Sequence, residues 1–303
     1  MAFVDRFTIG SPEYDAPLPD IGMALERIGL DPEGDYSPSR ENLHKLMLAS
    51  TATVPFESLD CCDYQRKLDI APAHLFDKIV MNRRGGYCYE INGFFMALLE
   101  GLGYDCIPLA GRLLHGQPVY GPMRHRMTVV TIDGTRYLCD VGYGSGIADG
   151  PLDIDSKEIQ QVGENRYSIE QHEGAKFGDI TLVRHMDDGS ESYFYTVYLK
   201  PHTLLEFLGP NEQAERVFST RRVCRLRTDT GSIAVDGKVF RRKVGKETFE
   251  EEIASYPHLY KILTEEFNMI VPRMSFSTDW PREIAFDKEE CKRTLAMYDG
   301  LKK

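Results

Sequence analysis

Asp133-Gly134 separates two runs of alternating residues, 125–132 and 135–140, and this pair constrains the fold more tightly than any other in the chain. A two-residue Asp-Gly loop between alternating runs specifies a type I′ hairpin, in which both loop residues take positive φ. Ile132 then faces Thr135, Met127 faces Asp140 and His125 faces Gly142. Strand side chains alternate with period two, so His125 and Asp140 fall on one face as diagonal neighbours. Such neighbours sit roughly 7–8 Å apart at the backbone, within reach of an imidazole–carboxylate contact. The opposite face carries Arg126, Thr128 and Val130. A slip of one residue would put the histidine and the aspartate on opposite faces.

The same period recurs on either side of the hairpin. DCIPLAGRLL, NRYSIEQ, DITLVRH and SYFYTVYL read as strands between glycine and aspartate punctuation, and many short strands at close spacing predict an antiparallel barrel or sandwich. Before about residue 100 the spacing is helical. One helix falls within 18–30 and is stopped by Gly29 and Pro32; a second follows Ser39 as N-cap, with Leu43, Leu46, Met47 and Ser50 on one face. A third lies within PAHLFDKIVMN, and a fourth opens near Cys88 and stops at Gly101 and Gly103. After 200 the pattern is mixed: TLLEFLG is helical, VCRLRT, SIAVDG and KVFRRKVG are strands, and HLYKILTEEFNM is a helix. The expected fold class is α+β in three parts: an N-terminal helical bundle (1–100, including the Cys88 helix), a central antiparallel β-barrel (101–200) and a C-terminal α/β lid (201–303).

Composition narrows the function. A chain of 303 residues exceeds what one core usually serves, and 42% hydrophobic with 27% charged residues is ordinary for a soluble globular protein. Lys and Arg number 36 against 47 Asp and Glu, a net charge of −11 that argues against nucleic acid as partner. No apolar run approaches the roughly 20 residues of a membrane span. The start of the sequence lacks a signal-peptide pattern, and seven irregularly spaced cysteines read as reduced thiols, so a cytoplasmic protein is expected. P-loop, GxSxG, HExxH and CxxC motifs are missing, and the eight histidines show no metal-ligand spacing with the cysteines. No metal is expected. Gly142, Gly144 and Gly146 read as a tight turn, and Cys61 and Cys62 as inert filler.

Cys88 differs from the other thiols. It follows Arg83-Arg84-Gly85-Gly86, where two glycines allow a sharp turn, and it opens an apolar helix. Unpaired N–H groups and the dipole at a helix start favour a thiolate, and two arginines upstream add positive field. A nucleophilic thiol needs a base, and the base needs an orienting group. His125 and Asp140, already on one face, supply both in the order Cys, His, Asp. Taken singly, His125 is an ordinary core histidine and Asp140 a strand-end Asx turn into Gly142.

RRGGYCYEIN around Cys88, His125, DVGYG at 140–144 and VPFESLD at 54–60 together resemble the arylamine N-acetyltransferase family over most of the chain, weakening after about 200, where GSIAVDGKVF and EEFNMIVP still fit. The resemblance implies a helical bundle, β-barrel and α/β lid, with Cys88 as acyl-accepting nucleophile, His125 as its partner and Asp140 as the orienting acid. It places Phe56 and Tyr143 in the amine pocket and an Arg84–Glu57 ion pair behind the site. Ser58 stands where the family usually has Asn and Ser50 where it commonly has His, which bears on the hydrogen bonding of the 54–60 loop. The implied reaction moves acetyl from acetyl-CoA through a Cys88 thioester to arylamines, arylhydroxylamines or hydrazines by a ping-pong route, with the region after 200 keeping water out. The anionic coenzyme needs a basic patch, for which Arg221-Arg222 or Arg241-Arg242-Lys243 are candidates. Two other enzymes fit the same three residues: an acyltransferase or amide synthase with a different donor, and a cysteine hydrolase or transglutaminase-like enzyme. A binding module with a vestigial site is disfavoured, since all three residues are intact.

Overall fold

In the computed structural model, which describes residues 13–114, 116, 122–144, 150–172 and 178–271, capping side chains start the first helices. The Asp20 carboxylate accepts the Met23 amide (2.8 Å) at the head of α1 (Ile21–Arg27), and the Ser39 hydroxyl accepts the Asn42 amide (3.1 Å) at the head of α2 (Arg40–Thr53). Strand β1 (Phe56–Glu57) and the single turn α3 (Leu59–Cys62) follow. Pro72 opens α4 (Pro72–Phe76), which widens into an i→i+5 turn over Asp77–Met81, so the third expected helix changes pitch midway. Helix α5 (Cys88–Gly101) is buried from Cys88 to Leu99. Its Ile91, Phe94 and Leu98 pack with Leu25, Leu43, Leu46 and Ile79 in a core shared with α1 and α2.

Next come β2 (Asp105–Leu113), β3 (Met123–Ile132), β4 (Thr135–Cys139), β5 (Leu152–Asp153), β6 (Gln160–Val162), β7 (Asn165–Gln171), β8 (Ile180–His185) and β9 (Glu191–Val197). They form one antiparallel, barrel-like sheet in the order β5-β4-β3-β2-β9-β8-β7-β6. The β3–β4 hairpin has the expected register, Ile132 opposite Thr135 through Thr128 opposite Cys139, with φ of +49° at Asp133 and +80° at Gly134. Strand β3 therefore serves two cores. Met127 and Val129 pack inside the sheet with Ile169, Leu182 and Tyr195, while Val130 and Ile132 pack on its outer face against the helices.

The remainder is a 3₁₀ turn (Leu204–Phe207), α6 (Leu208–Phe218), the meander β10 (Val223–Thr228), β11 (Gly231–Asp236), β12 (Val239–Val244) and β13 (Glu247–Glu252), and α7 (Tyr256–Glu265). Leu259, Ile262 and Leu263 of α7 cover Ile233 and Val235 of β11. Strand β13 was not anticipated: its sequence ETFEEE is exposed throughout and has no apolar alternation, so only the ladder offered by β12 reveals it. The meander gains a fifth strand from far upstream, since Phe56 and Glu57 of β1 pair with Arg225 and Cys224. The expectations that fall on Gly146, Cys291 and 272–303 lie outside the described residues. No helix among the described residues is long and apolar enough to cross a membrane.

The glycines before Cys88 work differently from the sequence expectation. Neither Gly85 nor Gly86 takes positive φ; Arg83 does, at +48°. What they permit is close approach. A Cβ on Gly85 would lie 1.7 Å from the Pro55 carbonyl oxygen, and one on Gly86 would lie 2.6 Å from the Glu90 carboxylate. The Glu57 amide then donates to Gly86 (2.8 Å) and the Gly86 amide to Pro55 (3.2 Å). Gly85→Ala should therefore lower unfolding free energy by about 3 kcal/mol or more, because neither backbone can yield without breaking these bonds. Urea denaturation measures it, and a loss below about 1 kcal/mol would show that the two segments can part.

Candidate active site

Cys88 is the first residue of α5, and Tyr87 before it is extended, with its amide donating to Glu90 Oε2 (3.2 Å). The Cys88 and Tyr89 N–H groups belong to the first turn, which has no carbonyl acceptors within its own helix. Strand β3 crosses this helix start, and the Cys88 thiol lies 3.6 Å from the Arg124 carbonyl oxygen. His125, the next residue, is buried and extends toward the same point. Its Nε2 meets Asp140 Oδ2 at 2.5 Å, and the Cys88 sulfur is close enough to act on the ring as well. Tyr195 stacks against the imidazole (centroids 5.4 Å apart, planes at 29°), and Tyr143 meets it edge-on at 5.5 Å. Burial alone would discharge this histidine. The Asp140 carboxylate and the Cys88 sulfur outweigh burial and raise its pKa from 6.5 to about 10.

Asp140 is fixed from its other oxygen. Oδ1 accepts from the Gly142 amide (3.0 Å) and from Asn92 Nδ2 (2.9 Å). One residue thus makes the strand-end Asx turn with one carboxylate oxygen and meets the imidazole with the other. Asn92 is the residue of this network that sequence reasoning missed. It donates also to the Arg126 carbonyl (2.6 Å) and accepts the Val141 amide (2.9 Å), joining α5 to both strands of the hairpin. The signal was present: an amide four residues after Cys88 shares its face of the helix. A Cβ at Gly142 would lie 2.8 Å from Asn92 Nδ2 and 3.1 Å from Cys88 Cα, so this close contact requires glycine.

Beneath the turn lies a buried ionic cluster. Arg84 Nε and Nη2 both donate to Glu57 Oε1 (3.0 and 2.7 Å), and Nη2 also reaches Asp60 (3.2 Å). Lys78 bridges Asp60 and Glu90, each at 2.7 Å. Burial opposes the charge on Asp60, but Lys78 and Arg84 prevail and hold its carboxyl below the usual range. At Glu90 burial wins over Lys78, and the pKa is pushed up to about 7. The Arg84–Glu57 pair is therefore present, and Lys78, Asp60 and Glu90 extend it. Arg84 does not supply a bare positive field to the thiol, contrary to the sequence expectation, because two carboxylates already claim it.

Phe56 and Tyr143 border the same region. The Phe56 ring lies 3.1 Å from where a Cβ on Gly144 would be and makes an edge contact with Phe218 at 5.8 Å; Tyr143 packs on Phe194 at 5.1 Å. Ser58 ties the 54–60 loop to the head of β10, donating to Arg221 O (2.7 Å) and accepting the Val223 amide (2.9 Å). Ser50 is buried, and its hydroxyl has no partner among the described residues. The candidate basic patches are largely consumed: Arg222 clamps Asp63, Arg221 reaches Asp236 (3.3 Å), and Arg241 and Arg242 pair with Glu250 and Glu266. Lys243 alone of these five makes no ion pair among the described residues. Burial pushes up the thiols of Cys61, Cys62, Cys106, Cys139 and Cys224. Among the described residues, the one group with its ligand atoms spaced for a metal is Glu13, Asp69 and His74, which includes none of the residues around Cys88.

Residues 39–276 match the family model described as N-acetyltransferase. The arylamine N-acetyltransferase of Mycolicibacterium smegmatis is 35% identical over 192 residues, covering 62% of this chain and 67% of that protein. Proansamycin X synthase of Amycolatopsis mediterranei is 29% identical over 263 residues, covering 84% of this chain and 96% of that protein. The solved arylamine N-acetyltransferase from Mycobacterium tuberculosis shares the fold with a TM-score of 0.77 at 25% identity, covering 88% of this chain and 98% of that one. The matched span contains Cys88, His125, Asp140 and the whole eight-stranded sheet, and the chain belongs to the arylamine N-acetyltransferase family.

Proposed function

We propose that the protein carries an acetyl group from acetyl-coenzyme A to aromatic amines, arylhydroxylamines or hydrazines through a thioester on Cys88, with His125 and Asp140 completing the catalytic triad. The observation that carries this reading is a helix-start thiol lying against strand β3 at Arg124, next to a buried His125 whose Nε2 meets the buried Asp140 carboxylate at 2.5 Å. The Cys88 thiolate attacks the thioester carbonyl, and the Cys88 and Tyr89 N–H groups face the developing oxyanion. The new carbon–sulfur bond replaces the old one at nearly equal energy, and the coenzyme leaves as its thiol with the proton from His125. The amine nitrogen then attacks the acyl carbon, His125 takes its proton, and the Cys88 thiolate departs to restore the ion pair. Asp140 keeps the imidazole in one orientation throughout. Phe56 and Tyr143 form the aromatic wall for the acceptor ring.

In this reading 1–100 acts as the helical part, 101–200 as the barrel and 201–303 as the α/β cover that limits hydrolysis of the thioester. Six free cysteines among the described residues fit a reducing, cytoplasmic setting. A second reading keeps the same triad but takes a different acyl donor and forms another amide; a relative not named for acetyl transfer, proansamycin X synthase, is matched along 96% of its length.

Intact-mass measurement after incubation with acetyl-CoA, without amine, should show a gain of about 42 Da, one acetyl, on Cys88 and release of coenzyme A. Turnover in Cys88→Ala, or the adduct on another thiol, would end the proposal. Thioesters of graded length acylating Cys88 faster than acetyl-CoA would favour the second reading. Asp140→Asn should cut transfer by roughly 10²–10⁴-fold, as loss of an orienting carboxylate does.

The same substitution tests the electrostatics. His125 binds its proton more tightly folded than unfolded, so its contribution to stability is complete below pH 6.5 and fades as pH rises through about 10. Asp140→Asn removes most of that contribution. The stability gap between wild type and variant should therefore be wide at pH 6 and narrow above pH 10, and a gap that does not change with pH would show that His125 is not held protonated.

A further inference from the structure

Strand alternation sends Arg126 to the opposite side of β3 from His125, and there it differs from the other buried arginines. Arg84 and Arg222 are clamped by carboxylates, and Arg27 donates to the carbonyls of Ile79 (2.6 Å), Thr53 (2.8 Å) and Arg84 (3.1 Å). Arg126 is 1% exposed, yet its Nε has no partner among the described residues. Its other contacts are weak: Nη1 lies 3.4 Å from the Tyr89 carbonyl and Nη2 lies 3.7 Å from the Met96 sulfur, with the Phe207 ring 5.1 Å away on one face. Gly93 makes room for it, since a Cβ there would lie 2.6 Å from Nη1. Glu100 is near enough to act on its charge, but no carboxylate among the described residues bonds it, and a buried cation so poorly paired is costly.

The guanidinium borders a cavity of about 270 Å³ between α5, residues 14–16 and the segment before α6. Ile70, Met96 and Leu204 give it apolar walls, and Asp15 and Glu100 also line it. None of Cys88, His125, Asp140, Phe56 or Tyr143 lines it.

We infer that this cavity is a second ligand site, distinct from the acyl-transfer cleft, that takes a small organic monocarboxylate with its carboxylate on Arg126. A guanidinium presents paired N–H donors matched to a carboxylate. Asp15 and Glu100 oppose any anion, a multiply charged phosphate most, so the one cation that Arg126 supplies suits a single negative charge, and the apolar walls accept a compact hydrocarbon body. The volume falls just under that of drug-sized sites, which keeps the occupant small. Arg126 also offers its carbonyl to Asn92, which holds Asp140, so an occupant would act on a residue tied to the triad. The inference stands independently of the acyl-transfer reading.

Thermal unfolding of the full chain tests it, with benzoate as probe and with inorganic phosphate and benzyl alcohol at matched ionic strength as contrasts. Benzoate should raise Tm progressively with concentration, while phosphate and benzyl alcohol leave it unchanged. Arg126→Met should weaken the benzoate response at least tenfold in concentration and leave the unliganded Tm equal to or above that of wild type, because replacing a poorly paired buried charge by an apolar side chain of similar length is not destabilising. Leu204→Trp, which fills the cavity from its wall, should abolish the response as well, and it decides the matter where Arg126→Met does not fold. A response to phosphate equal to that for benzoate overturns the ligand class. No response in wild type, or a full response in Leu204→Trp, places benzoate elsewhere and overturns the site.

Discussion

The Pro55 carbonyl occupies the space that any side chain at residue 85 would need, and the rest of the molecule is arranged around that contact. Because Gly85 and Gly86 lie flat against Pro55–Glu57, strand β1 touches the turn before Cys88 on one side and pairs with β10 on the other. The helical region and the C-terminal meander therefore meet within two residues of the nucleophile candidate. Arg84, Lys78 and their three carboxylates lock the underside of the same seam. Two cations face three acids in this buried space, and burial first, with Glu57 and Asp60 nearby, raises the pKa of Glu90. The cluster sets position more than stability, since desolvation consumes most of what such pairs gain.

Charge is handled differently above the turn. There His125 sits between the Cys88 sulfur and the Asp140 carboxylate, and the rings of Tyr143 and Tyr195 rather than further ions pack against it. Low local polarity strengthens the Asp140–His125 attraction and excludes competing water. Asn92 is the mechanical centre of this arrangement. One amide joins the helix of Cys88, the strand of His125 and the end of the strand carrying Asp140, so the three groups keep their spacing as a unit.

Much of this geometry was legible because it rests on local rules. Asp133-Gly134 set the hairpin register, and the register alone put His125 and Asp140 side by side. Ser39 marked its helix start, and the glycine pair marked the Cys88 turn even though the reason is close packing and not a left-handed backbone. What escaped was non-local. Nothing in ETFEEE signals a strand without β12 beside it, and a two-residue strand such as β1 has no periodicity to detect. The arginine pairs at 221–222 and 241–242 looked available as a basic patch because their acidic partners, Asp63, Asp236, Glu250 and Glu266, are scattered along the chain. In a chain of net charge −11, a run of arginines is more readily neutralised by its own fold than left for a ligand.

That reasoning gives Arg126 its weight. An acidic protein has carboxylates to spare, and Arg84, Arg222, Arg241 and Arg242 have all found one. Arg126 has not, although Glu100 is near enough to act on its charge. Strand alternation forces whatever follows His125 to face the helices, and Val130 and Ile132 show that an apolar residue suits that face. A methionine or leucine at 126 would have closed the core at no electrostatic cost. The presence of a guanidinium there, beside a glycine that makes room for it and a cavity that could hold its partner, points to a requirement for charge that folding alone does not impose.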